Sequence, residues 1–398
     1  MLRLQQVDIQ GKRVVIRADL NVSIHDGELY GKERIHAAMD SIRYALDQNA
    51  SILILTHLGR PEEGKSDPDY SLEPVAKALS ELLGCEVQFL RDWIGGVSLQ
   101  PGQVALCENV RFLKGEGSCD PSLSRRIADL GDVFVFDAFG AAHRRQASLT
   151  GVIEFVETAC AGLLVQQEID SLDRALNEPA SPFVSIVGGA KIQGKLQTLE
   201  QLSGMSRYLI VGGGIANTFL AASGYGVGKS LYEPELLGVA QRVLSTAESA
   251  GCEIPLPRDV VVAPQLAPSI ESCEKQIDEV TADDMILDIG TRTRQMYQSI
   301  IAESGTIVWN GPVGAFEFAP FDMGTRCVAE AVAASGAYSV AGGGDTLAAL
   351  ETFELMDQIS YVSTGGGAFL EYVQGSELPA VRALEEHAAR YAAAHVAA

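Results

Sequence analysis

Read for apolar and polar positions, the chain alternates between two periods. Residues 13–17, 51–55, 104–106 and 133–136 are short, mainly apolar runs, the mark of strands buried on both faces. Residues 36–48, 72–83 and 122–130 instead repeat apolar side chains at helical spacing. Short β-runs separated by helical segments predict parallel βαβ units. The second half repeats the scheme, with strands predicted at 259–263, 285–288 and 306–309. Between the halves, Leu163, Leu164, Ile169, Leu172 and Leu176 recur at helical spacing, and Glu178-Pro179-Ala180-Ser181-Pro182 ends the run. This predicts one helix, 162–177, joining two domains. The Ala-rich tail, 384–398, is predicted helical.

Four apolar runs in the second half stop at glycines. Val184-Ser185-Ile186-Val187 leads into Gly188-Gly189-Ala190-Lys191, and Tyr208-Leu209-Ile210-Val211 into Gly212-Gly213-Gly214. Tyr338-Ser339-Val340-Ala341 leads into Gly342-Gly343-Gly344-Asp345-Thr346, and Tyr361-Val362-Ser363-Thr364 into Gly365-Gly366-Gly367. Each is followed by a stretch that reads as helix. Glycine lets the backbone approach a ligand closely, and a helix N-terminus offers free N–H groups and partial positive charge. In an open parallel sheet all such turns share the carboxyl edge. Four of them, beside Lys191 and Lys195, predict a surface built for phosphate.

Composition narrows the picture. A chain of 398 residues exceeds one core, so two domains are expected. A net charge of −22 argues against nucleic acid or an anionic membrane as partner, while allowing a small anion in a local basic cluster. The seven cysteines form no C-x-x-C pair and read as reduced thiols. The first residues lack a signal-peptide apolar core, and no run is long enough to span a bilayer. A cytoplasmic location is expected.

That basic cluster is visible in the first half. Asp19 and Asn21 end the first strand, His57 and Arg60 the next; Arg111 follows a third, His143 and Arg144 a fourth, and Arg34 precedes the first helix. Strand ends converge on one edge of a parallel sheet, and the planar arginine fork suits phosphate and carboxylate. Asp345 reads equally as a helix cap or as a Mg²⁺ ligand between phosphates. Phosphoryl transfer needs positioning, charge neutralisation and exclusion of water, which two closing domains supply. Two motifs are set aside. Gly228-Lys229-Ser230 lacks the first glycine of a Walker A loop, since Ser223 stands there, and the run from Gly212 has Asn217 where a dinucleotide fingerprint needs its third glycine. A nucleotide-binding protein without turnover and a nicotinamide dehydrogenase remain rival readings.

Several segments are specific: Arg17-Ala18-Asp19-Leu20-Asn21-Val22, Thr56-His57-Leu58-Gly59-Arg60-Pro61, Glu108-Asn109-Val110-Arg111-Phe112 and Asp137-Ala138-Phe139-Gly140. The second half adds Trp309-Asn310-Gly311-Pro312-Val313-Gly314-Ala315-Phe316-Glu317 and Gly342-Gly343-Gly344-Asp345-Thr346. Together they resemble the phosphoglycerate kinase family, bacterial branch, from about residue 14 to about 384.

The resemblance implies an α/β protein of two Rossmann-like, doubly wound parallel-sheet domains joined by a hinge helix. The implied division is a triose domain, 1–161 with 379–398, a helix at 162–177 and a nucleotide domain at 178–378. The implied reaction moves the acyl phosphate of 1,3-bisphosphoglycerate to MgADP, reversibly, in a monomer that closes on both ligands. By motif match, Asp19, Asn21, His57, Arg60, Arg111 and Arg144 hold the glycerate, and Arg34 stabilises the phosphoryl group in flight. Lys191 and Lys195 neutralise phosphates, Gly344 and Gly367 donate N–H groups, Asp345 binds Mg²⁺ and Thr346, beside Gly343, a phosphate. Gly188, Gly189, Ala190, Gly212, Gly213, Asn310 and Glu317 line the nucleoside pocket. Ser23, Ala141 and Gly194 depart from the family pattern, which has proline, threonine and often aspartate there.

Overall fold

The computed structural model describes residues 1–25, 28–31 and 33–396. Residues 26, 27 and 32, inside the range 1–161, and residues 397 and 398 of the tail lie outside the described residues. The chain forms two compact units, Met1–Asp170 with Glu377–Ala398, and Ser171–Ser376. The division falls within the helix Leu163–Leu176, whose first half counts with one unit and second half with the other.

Unit 1 is built on six parallel strands in the order Val87–Leu90, Val104–Cys107, Ser51–Leu55, Arg13–Ala18, Val133–Asp137 and Ala159–Ala161. Ser51–Leu55, Val104–Cys107 and Val133–Asp137 are buried along their whole length, which is why they read as continuous apolar runs. The helix Glu33–Asp47 covers the sheet with Ile35, Ala38, Met39, Ile42 and Ala45. The outer strands Val87–Leu90 and Ala159–Ala161 go beyond the expected set. Ala-Cys-Ala carries no β-branched residue, so its pattern has no strand signal. Ser23–His25 and Glu28–Tyr30 pair antiparallel. The last helix, Pro379–Val396, completes this unit: His387 Nε2 accepts from the Ala159 N–H at 3.0 Å, and Leu378, Ala380 and Leu384 are buried.

Unit 2 holds five parallel strands in the order Tyr208–Val211, Phe183–Val187, Thr306–Asn310, Tyr338–Gly342 and Tyr361–Ser363. All four glycine runs therefore leave one carboxyl edge, joined there by Asn310-Gly311. The expectation fails in one respect. Asp259–Ala263 and Met285–Ile289 do not extend this sheet; with Cys273–Gln276 they form a separate antiparallel sheet of three. No α-helix separates these strands in the chain, and a parallel connection needs a crossover of about a dozen residues or more, usually an α-helix.

Candidate active site

At the carboxyl edge of the unit 1 sheet, the predicted cations converge. Arg34 Nη1 lies 3.2 Å from Asp19 Oδ2 and 3.4 Å from the Asn21 carbonyl. Asn21 Oδ1 accepts from the Gly59 N–H at 3.0 Å, tying the first strand's exit to the loop after His57. Arg111 Nη1 donates to the Gly59 carbonyl. A cavity of about 340 Å³ opens among Arg60, Glu63, Arg111, Glu116, Arg144 and Gln146. His57, 4% exposed, is held well below its ordinary pKa by burial and then by Arg17, Arg111, Arg144 and Arg34. It is therefore a neutral ring among cations. Burial, with Arg144 and Arg17, lowers Arg111 to about 10, which leaves it charged at neutral pH.

Sequence reasoning missed Arg17, Glu116, Ser148 and Gln146. Arg17 carries the one signal that was available, a charge inside an otherwise apolar strand. Its partners lie far along the chain, Ser148 being 131 positions away.

In unit 2 a cavity of about 680 Å³ lies at the glycine-rich edge. Gly189, Ala190, Gly213, Glu317 and Asp345 line it, with apolar walls from Pro312, Val313, Leu287 and Val260. Other predicted residues stand behind this lining. A Cβ on Gly188 would overlap the Pro312 carbonyl, and one on Gly212 would overlap Val313, so both glycines permit close backbone packing. Asn310 is buried and donates Nδ2 to the Gly342 carbonyl at 2.7 Å. The Thr346 hydroxyl, also buried, accepts from the Gly311 N–H at 2.7 Å. Both side chains thereby brace the edge. Lys195 Nζ reaches the Gly188 and Asn310 carbonyls at 2.6 and 3.2 Å, leaving one of its three donors. Lys191, Gly344 and Gly367 are exposed and outside the cavity lining.

The first glycine run is not followed directly by helix. Residues 188–195 form a loop, pinned by Glu233 accepting from the Ile192 and Gln193 N–H groups, and the helix begins at Leu196. The two motifs set aside still contribute walls: Asn217, Lys229 and Ser230 line the cavity, with Asn217 Nδ2 donating to the Leu231 carbonyl. Asp288 was missed. It is buried among the lining residues, accepts from the Gly324 N–H at 2.7 Å, and burial raises its pKa to about 7.

The cap of the helix Gly344–Thr352 is Gly343, so Asp345 is not the cap. Its carboxylate is exposed in the first turn and lines the cavity. One exposed carboxylate lining the cavity fits Mg²⁺, which keeps several waters and takes one or two carboxylates along with substrate phosphates. Among the described residues no group of three or more His, Cys, Asp or Glu is placed to hold a metal ion.

The family model described as phosphoglycerate kinase matches residues 4–376. The chain belongs to the phosphoglycerate kinase family. The phosphoglycerate kinase of Nitratidesulfovibrio vulgaris (strain DSM 19637 / Miyazaki F) is 52% identical over 390 residues, 98% of this chain and 99% of the relative. That of Legionella pneumophila (strain Lens) is 52% identical over 388 residues, 98% of each. The solved phosphoglycerate kinase structure from Coxiella burnetii matches with a TM-score of 0.94 at 50% identity, covering 97% of this chain and 99% of that one. The one from Pyrococcus horikoshii OT3 matches at 0.83 with 32% identity and the same coverage. Of the departures from the phosphoglycerate kinase pattern, Ser23 is exposed on the short hairpin and Ala141 is 2% exposed in a single helical turn. A Cβ at Gly194 meets nothing within 4 Å, so a side chain could start there without a clash.

Proposed function

We infer that this chain is a phosphotransferase that moves the acyl phosphate of 1,3-bisphosphoglycerate to MgADP, giving 3-phosphoglycerate and ATP, and runs the reverse reaction as well. The reaction belongs to glycolysis and gluconeogenesis. The carrying observation is the gathering of His57, Arg60, Arg111 and Arg144 at one sheet edge in a chain of net charge −22. Such a cluster selects a small, multiply charged anion.

In this reading Arg60, Arg111 and Arg144 take the phosphate of the glycerate, while Asp19, Asn21 and His57 orient its hydroxyl and carboxyl ends. Arg34, anchored through Nη1 to Asp19, turns its remaining donors to the equatorial oxygens of the phosphoryl group in transit. In the reverse direction the glycerate carboxylate oxygen attacks the γ-phosphorus in line with the departing ADP oxygen. No covalent enzyme intermediate is needed, so catalysis rests on alignment and charge neutralisation. Lys195 brings one N–H to the phosphates and Lys191 a second cation. Gly344 and Gly367, first residues of their helices, donate backbone N–H groups. Asp345 would hold Mg²⁺, which supplies neutralisation of charge across the transferring and neighbouring phosphates. Thr346, whose oxygen accepts from Gly311, retains its own O–H for a phosphate.

The helix Leu163–Leu176 is proposed as the joint between the units, the partners as small molecules, the protein as a cytoplasmic monomer. No helix among the described residues is long and apolar enough to cross a membrane. A coupled assay with 3-phosphoglycerate and MgATP tests the activity. Turnover dependent on both substrates is expected; ADP binding without turnover would favour a nucleotide-binding protein that has lost catalysis.

A further inference from the structure

Arg17 lies in the central strand of unit 1 and is fully buried. Its Nε donates to Ser148 Oγ at 3.0 Å and its Nη1 to the Ala18 carbonyl at 2.6 Å. Its Nη2 stands 3.2 Å from His57 Nδ1. A guanidinium has donors only, so Nδ1 is the acceptor, and the proton of the neutral ring sits on Nε2. Behind Arg17 the chain of contacts continues. Ser148 Oγ donates to Glu116 Oε1 at 2.6 Å, and the Ser148 N–H donates to Glu116 Oε2 at 2.9 Å. Glu116 is 1% exposed. A buried carboxylate and a buried guanidinium are thus bridged by one hydroxyl, and the far end of the guanidinium touches the ring.

We propose that Glu116, Ser148 and Arg17 are positioning residues that hold His57 as the neutral Nε2–H tautomer, so that it meets an anionic ligand as a hydrogen-bond donor and not as a cation. The inference rests on the assignment of this cluster to the phosphoglycerate site. The surroundings support it. Burial opposes a charge on His57, and Arg17, Arg111, Arg144 and Arg34 all oppose a second proton there. Burial also raises the pKa of Glu116, but Arg17 and the two Ser148 donors act to keep it ionised. A ring fixed in this way gives the ligand directional recognition without adding to a charge already supplied by arginines. It also stays in one protonation state where an ordinary histidine would titrate.

The test is nitrogen NMR of the full chain labelled with ¹⁵N-histidine, together with steady-state kinetics. In the parent, His57 is expected to show an unprotonated Nδ1 and a protonated Nε2, unchanged from about pH 6 to 8. Ser148→Ala removes the bridge. The His57 signals should then shift toward a tautomer mixture, with KM for 3-phosphoglycerate up about tenfold and KM for MgATP within about twofold. Arg17→Met combined with Glu116→Gln removes both buried charges at once, avoiding an uncompensated one, and should act the same way. Retention of the Nε2–H signature in both folded variants overturns the proposal, as does a doubly protonated His57 in the parent at neutral pH. A parent that fails to bind 3-phosphoglycerate overturns the substrate assignment alone, because the nitrogen signatures still decide the tautomer.

Discussion

Lys195 and Arg34 are the two cations whose surroundings make quantitative demands. Burial brings Lys195 down from 10.5 to about 8, partly countered by Asp345. A bound polyphosphate stabilises the charged form and raises that value again. If Lys195 meets the nucleotide phosphates as proposed, affinity should be full below about pH 8 and decline as pH rises through it. Calorimetric titration of MgADP between about pH 7 and 9.5 should show this loss, and Lys195→Met should abolish the pH dependence while weakening binding throughout. In the empty fold the sign is opposite: the cost of keeping Lys195 charged is present below about 8 and fades as pH approaches 10.5. Arg34 is tied to Asp19, with side-chain exposures of 35% and 7%. If it acts on the phosphoryl group in transit, Arg34→Ala should lower kcat by on the order of 10³-fold with nucleotide KM nearly unchanged. A change confined to KM would make it a binding residue only.

Among the elements, the glycine-led turns were the most legible, because an apolar strand running into glycines marks both a backbone conformation and a place in the sheet. The structure separates two adjacent glycines by role. Gly343 has φ 95°, and a Cβ there would strike the side-chain amide of Asn310. Gly344, one residue on, is the first helical position and has nothing within 4 Å. Gly343→Ala should cost about 1–3 kcal/mol and weaken ADP binding. Gly344→Ala should be neutral or stabilising by up to about 1 kcal/mol in denaturant titrations. What stayed illegible has physical causes. Cys273–Gln276 is a strand of Cys-Glu-Lys-Gln, too polar to show alternation. That Asn310 and Thr346 also brace the edge was hidden, since buried polar groups that brace a loop and polar groups that bind a ligand have the same composition. Arg17 needed Glu116 and Ser148 brought beside it, which only the folded sheet does.

Across the whole molecule, the proposed division of labour follows the two units. Every residue lining the proposed nucleotide cavity lies between 189 and 345, within Ser171–Ser376. The closing helix Pro379–Val396 belongs to the other unit, where it buries Ala380 and Leu384 and satisfies the Ala159 N–H through His387. Deleting residues 377–398 should strip unit 1 of its 3-phosphoglycerate binding and lower its unfolding temperature, because it exposes apolar side chains and orphans a buried donor. ADP binding by the truncated protein should persist, as calorimetry with each ligand would reveal. Loss of both would mean that unit 2 depends on unit 1 for its own stability.

That late closure also has a consequence in time. Ala159 and His387 are 228 positions apart, and all of unit 2 lies between them in the chain. At synthesis rates of about 5–20 residues per second, a ribosome exposes the first sheet on the order of ten to forty seconds before its last helix emerges. Unit 2 is continuous and can complete itself within that interval. The half made first is thus finished last, and the nascent chain carries an uncovered apolar strip around Ala159 during the wait, the stage at which a holding chaperone would have most to protect.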